Sequence, residues 1–253
     1  MAVPGKRLRG PPVPVLLAVL VLPVVFALPA AGSGSPAVSG AAAPAVNQMV
    51  VFRSGAAVGS RVRASAATVR VGRKRCAVGA GTPLAALLRS RPGAIAVKDY
   101  ATCSRRAADA GGIYVRSIRA DVARGQNGWI YKVGHKQATA GAGDPAGPFG
   151  RGRLRSGQRI TWFYCLYRRG CQRTLALRAE SQGGGLLSVR VRGYDDAGRG
   201  EVVQGATVSA GGRLSTTDAS GSAVLHLAPG RYTVRARKPG LVRSFAERAT
   251  VRP

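Results

Sequence analysis

Seven arginines crowd one stretch of the chain: Arg151, Arg153, Arg155, Arg159, Arg168, Arg169 and Arg173. A guanidinium is always charged and presents paired planar donors, which suits carboxylate or phosphate recognition. Around this stretch stand Trp129 and Tyr131, then Trp162 and Tyr164, each pair at a spacing of two. On a strand that spacing turns both members of a pair to one sheet face. Such a face can stack a flat ligand such as a sugar, or it can pack as core beneath a helix. With only 6% aromatic residues in the chain, there are few other rings from which to build a core, and this favours packing. The candidate ligand contacts are Trp129, Tyr131, His135, Arg151, Arg153 and Arg155.

Catalytic chemistry has little to build on. His135 and His226 are the only histidines and lie far apart in the chain. There is no H-E-x-x-H, no G-x-S-x-G and no close glutamate pair. The run His135–Gly150 is rich in Gly and Ala but lacks the order of Gly and Lys-Ser/Thr that cradles phosphates. Its length leaves a ligand-facing loop and an ordinary connection both open. The expectation is a protein with no catalytic residues, no metal site and no cofactor. A Cys–His nucleophile would need a free thiol. The four cysteines, Cys76, Cys103, Cys165 and Cys171, are even in number and show no C-x-x-C spacing, which fits disulfides better than zinc. Three pairings are possible. Cys165 and Cys171 flank a short loop, so a local clasp is the favoured one, leaving Cys76 with Cys103.

Charge and targeting signals bound the partners. The chain carries 39 Lys and Arg against 10 Asp and Glu, a formal net charge of +29. Arginine far outnumbers lysine, a bias typical of GC-rich genomes, so part of the charge can be codon drift. A polycation of this kind stays soluble and adheres to polyanions such as an anionic envelope polymer or a lipid surface; an unidentified small ligand is the other partner class. No helix-turn-helix, zinc-finger or RNA-binding signature is present, so no specific nucleic acid is expected. Lys6, Arg7 and Arg9 precede an uncharged run, Val13–Ala31, and then small residues. That is the order of a signal peptide, read here over residues 1–37, and an extracellular or envelope location follows. An uncleaved run of that length would instead be a membrane anchor.

Residues 38–48 read as a flexible Ala/Gly/Ser/Pro spacer. A first domain, 49–181, holds alternating strands at Ala67–Gly72, Ala94–Tyr100 and Ile113–Ile118 besides the two aromatic strands. It also holds one helix over Thr82–Ser90, with Thr82 as cap, Pro83 in the first turn and Leu84, Leu87 and Leu88 on one face. Gln182–Gly185 reads as a glycine linker. Residues 186–253 then alternate in short strands with close turns, the pattern of an all-β sandwich. Asn47–Gly185 carries 25 basic and 5 acidic residues, and Leu186–Pro253 carries 11 and 5, so an electrostatic partner is expected on the first domain.

The order W-x-Y, a small-residue loop, then L-x-x-G-x-x-I-x-W-x-Y over Trp129–Tyr164 resembles the SLBB-like β-grasp domain at the C-terminal end of transcobalamin. The string G-A-T-V-S…T-T-D-A-S-G-S-A-V-L-H-L-A-P-G-R-Y-T-V-R-A-R-K-P-G resembles the carboxypeptidase-regulatory-like or prealbumin-like module. These resemblances imply a β-rich fold: a β-grasp (α+β) domain followed by an all-β sandwich. Some prealbumin-like pilus modules carry a Lys–Asn crosslink; Lys238 has no Asn partner in this region, so none is expected. The reading is an exported, non-catalytic envelope- or ligand-binding protein. A corrinoid-like carrier is the alternative that the transcobalamin resemblance implies, and a secreted enzyme is the third.

Overall fold

Short runs in which Val, Ile and Thr alternate with Arg and Ser favour extended backbone, and strands dominate the chain. The structure, a computed structural model, describes residues 42–253, which lie within one compact unit. The signal segment and most of the spacer reading fall outside the described residues. Strands β1 (Ala45–Val51) and β2 (Ala57–Arg63) form one hairpin, and β3 (Ala67–Val71) and β4 (Lys74–Val78) a second. Helix α1 (Pro83–Ser90) follows, then β5 (Ile95–Asp99), a 3-10 turn over Ala107–Gly112, β6 (Ile113–Ile118) and β7 (Asp121–Val122). Next come β8 (Gly128–Val133), β9 (Lys136–Gln137) and β10 (Arg159–Cys165). All further elements are strands: β11 (Thr174–Gly183), β12 (Leu186–Tyr194), β13 (Gly200–Val202), β14 (Thr207–Ala210), β15 (Arg213–Thr216), β16 (Ser222–His226), β17 (Gly230–Arg237) and β18 (Glu247–Val251).

The N-terminal sheet runs β2-β1-β10-β8-β9, with β1 and β10 parallel at its centre. One face carries Val46, Val50, Trp129, Tyr131, Trp162 and Tyr164 against Leu84 and Leu87 of α1. The helix starts where the Thr82 hydroxyl accepts from the Ala85 N–H at 3.2 Å, satisfying an otherwise orphaned donor. It ends at Arg91, whose left-handed φ of 48° takes the place of the usual glycine.

In the C-terminal part, β11, β12 and β13 with β16 make one sheet, and β15, β14, β17 and β18 the other. Leu187, Val189 and Val191 from the first sheet meet Val208, Val234 and Ala236 from the second in a separate core. This is the sandwich that the alternation predicts.

Two boundaries differ from the sequence reading. The spacer does not extend to residue 48. Val46 is fully buried and Asn47 pairs with Arg159, so the alternation Val46–Gln48–Val50 already belongs to the sheet. Gln182–Gly185 is not a linker. β11 pairs with β12 along its length, and Gly183, Gly184 and Gly185 turn the hairpin with φ values of 82°, 55° and 74°. Three glycines are needed there because L side chains resist positive φ. Strand β11 begins at Thr174, so the sandwich starts before the glycines rather than after them.

The cysteines form the local clasp Cys165–Cys171 and the bridge Cys76–Cys103, with Cα separations of 5.2 and 5.5 Å. Among the described residues no helix is long and apolar enough to cross a membrane.

Candidate functional site

The far face of the N-terminal sheet would meet water in an isolated sheet. Here Met49, Val51, Phe163 and Cys165 on that face pack against Val242 and Phe245 from the loop between β17 and β18. The seam is also polar. Lys132 has no exposed side-chain surface; its ammonium donates to the carbonyls of Tyr194 at 3.0 Å and Asp195 at 2.8 Å and lies 3.3 Å from Asp196 Oδ1. Burial lowers the Lys132 pKa, against the opposite pull of Asp196 and Asp195. Beside it, the His135 ring lies flat on Tyr194, centroids 3.7 Å apart. Arg159 pairs with both Glu247 oxygens, the second bond at 2.8 Å, and its guanidinium sits 5.3 Å from the Phe245 ring centre.

Where the halves do not touch, the seam opens into clefts. One of about 1040 Å³ has Asn47, Met49, Gly59 and Arg61 from the N-terminal sheet on one side, and Thr233, Arg235, Arg243 and Arg248 on the other. Its single acidic lining residue, Glu247, is already held by Arg159. A neighbouring cleft of about 550 Å³ is lined by Arg53, Arg237, Lys238 and Arg243, with no acid. Arg243 is shared by both. Strand β17 explains the supply: Val234 and Ala236 point into the sandwich, so period two turns Arg235 and Arg237 outward. Two facing walls of arginine in a partly enclosed space focus a positive potential. The arrangement can bind anions; it holds no nucleophile and base within reach of one another.

The sequence-predicted contacts do not gather there. Trp129 and Tyr131 are core residues, 2% and 7% exposed. The Trp129 indole N–H donates to Asp121 O at 2.8 Å and the Tyr131 hydroxyl to Ala140 O at 2.9 Å. Burial raises the Tyr131 pKa, with a smaller push from Asp144. His135 sits on the seam, its pKa lowered by burial and then by Arg159 and Lys132. Arg151, Arg153 and Arg155 stay exposed on a loop away from both clefts; Arg153 donates to Pro145 O at 3.1 Å. His226 is exposed on β16, remote from His135 in the pairing.

The charge census therefore misplaced the partner's contacts: half of the basic lining comes from the less charged C-terminal part. The alternation Arg231–Thr233–Arg235–Arg237 signalled a basic strand face, but nothing in one strand says what lies opposite. Compared with protein-family models, with curated proteins and with solved structures, the chain finds no match.

Proposed function

We propose that this is an exported, non-catalytic binding protein that holds an anionic envelope polymer in the arginine-lined seam between a β-grasp module and a prealbumin-like sandwich. The β-grasp assignment is supported by the central parallel pair β1–β10, the strand order β2-β1-β10-β8-β9 and the single helix across one face. The sandwich assignment is supported by the two sheets sharing one core. Both agree with the motif resemblances, and the two disulfides agree with an oxidising compartment.

One observation carries the binding reading: Arg61, Arg235, Arg243 and Arg248 face one cleft whose only acid is already paired. A cleft between two sheets admits a chain of phosphates or carboxylates but not the plane of a bilayer, so a polymer fits better than a lipid surface. A corrinoid carrier gains no support from this geometry, because cations rather than an apolar wall line the large clefts.

The test uses the full chain and a linear polyphosphate. Binding is expected to weaken steeply with salt, since such attraction is screened over about 8 Å at physiological ionic strength. Replacing Arg61, Arg235 and Arg248 together with Gln should lower affinity by about tenfold or more. Stability should change little, because these side chains are exposed. The same change at Arg151, Arg153 and Arg155 should cost much less. Salt-insensitive binding, or equal losses for the two triples, would overturn the reading.

A further inference from the structure

We infer that a second, separate site exists: a small cavity along the free edge of β8 that takes a neutral, planar, ring-bearing amide, held by the indole N–H of Trp162 and the side-chain oxygen of Gln137. The cavity measures about 220 Å³ and opens between β6, β8 and the run Gln137–Ala142. Nothing in the anion-binding reading enters this argument, and no arginine lines the cavity.

Buried polar side-chain atoms are almost always hydrogen-bonded, so each exception calls for a cause. Among the described residues four such atoms lack a partner: Gln48 Oε1, Gln137 Oε1, Trp162 Nε1 and Asp196 Oδ1. Asp196 Oδ1 has the Lys132 ammonium nearby at 3.3 Å, and Gln48 lies on another strand, its amide nitrogen bonded to Ser90. The other two belong to residues that line this one cavity. Trp162 is 1% exposed.

Their chemistry is complementary. An indole nitrogen can only donate, and an amide oxygen can only accept. The other polar groups of the wall are spoken for: the Tyr131 hydroxyl by Ala140 O and the Trp129 indole by Asp121 O. The site therefore offers one donor and one acceptor, the pattern matched by a primary amide or lactam. No charged side chain lines it, and an ion would lose its hydration there without a partner, so the occupant is neutral. Tyr114, Trp129, Tyr131 and Trp162 supply ring surfaces, which favour a planar ring. The volume falls below the roughly 300–1,000 Å³ of pockets for drug-sized ligands, which limits the occupant to one or two rings.

The wall is fixed before any ligand arrives. A Cβ on Gly141 would come 2.1 Å from Gly111 O, and one on Gly143 2.6 Å from Ala110 O. The small-residue run is thus pressed against the 3-10 turn, and a rigid wall lowers the ordering cost of binding.

The chain holds two tryptophans, so the ¹⁵N-labelled protein gives two indole N–H signals, and Trp162→Phe assigns them by removing one. If that variant does not fold, contacts from the indole proton to Tyr131, whose ring centre lies 4.9 Å from that of Trp162, assign them in the wild type. Titration with benzamide should shift the Trp162 signal to saturation with a Kd of about 1 mM or tighter, leaving the Trp129 signal in place. Gln137→Met should weaken binding about tenfold. Benzoate, which lacks the donor, should leave the Trp162 signal unmoved. No shift up to about 10 mM benzamide means a cavity occupied by water only and overturns the inference. Equal affinity in Gln137→Met, or an equal response to benzoate, overturns it as well. Polyphosphate binding by the same sample is unaffected by any of these outcomes, so the two readings fail separately.

Discussion

Lys132 is the costliest residue in the molecule to place. An ammonium removed from water needs oxygens on every side, and Tyr194, Asp195 and Asp196 supply them. Lys132→Met should fill the space yet strip those oxygens of their donor. We expect a loss of about 3–5 kcal/mol in chemical denaturation, the range for breaking a buried charged pair. Replacing Asp196 with Asn in the same chain should recover part of it. His135 makes a second, pH-dependent test. Its folded pKa lies below the ordinary 6.5, through burial first and then Arg159 and Lys132. Between the two values the unfolded chain holds more protons than the folded one, so stability is full above about 6.5 and falls as pH drops toward the folded value. Melting temperature against pH should show that fall, and His135→Phe, which keeps the stack on Tyr194, should flatten it. Neither residue's role was legible in the sequence. Alternation places Lys132 on the sheet face opposite Tyr131, a face that water covers unless another element does. The aromatic quartet was legible, because a chain so poor in rings has to bury them.

At the scale of elements, local chemistry read well and pairing did not. Thr82, Pro83 and three leucines announced α1 within a residue of its start. The runs behind β3, β5, β6, β8, β10 and β12 alternated visibly. β11 did not: Arg178, Ala179 and Glu180 carry no hydrophobic alternation, and only the pairing with β12 makes them a strand. A glycine triplet has the same composition in a hairpin turn as in a linker, so the domain boundary was misread there. The small residues of the run before Gly150 now have a mechanical reason, and Gly141→Ala should destabilise by about 1–3 kcal/mol through overpacking against the Gly111 carbonyl. The two disulfides close loops of unequal length, with separations of 27 and 6 residues. Chain entropy makes Cys76–Cys103 worth about 3.5 kcal/mol and Cys165–Cys171 about 2 kcal/mol. Paired Cys→Ala variants compared by denaturant unfolding should preserve that order.

For the molecule as a whole, composition stated the charge but not its arrangement. The net +29 repels itself in the compact state, and screening by added salt should raise the melting temperature before any polymer is present. The arginines of the seam become a site only when β17 and β18 stand across from β1 and β2, a relation that no local stretch encodes. The strand order carries a further consequence for assembly in time. β1 occupies the middle of its sheet, yet its parallel neighbour β10 lies about 110 residues further along the chain, and contacts between such distant segments are slow to form. As the chain emerges from its N-terminus, the β1–β2 hairpin and α1 wait without the strand that completes their sheet. Closure cannot begin until Arg159–Cys165 is free. A chain built this way stays open and threadable for most of its synthesis, then closes around its longest-range contact last.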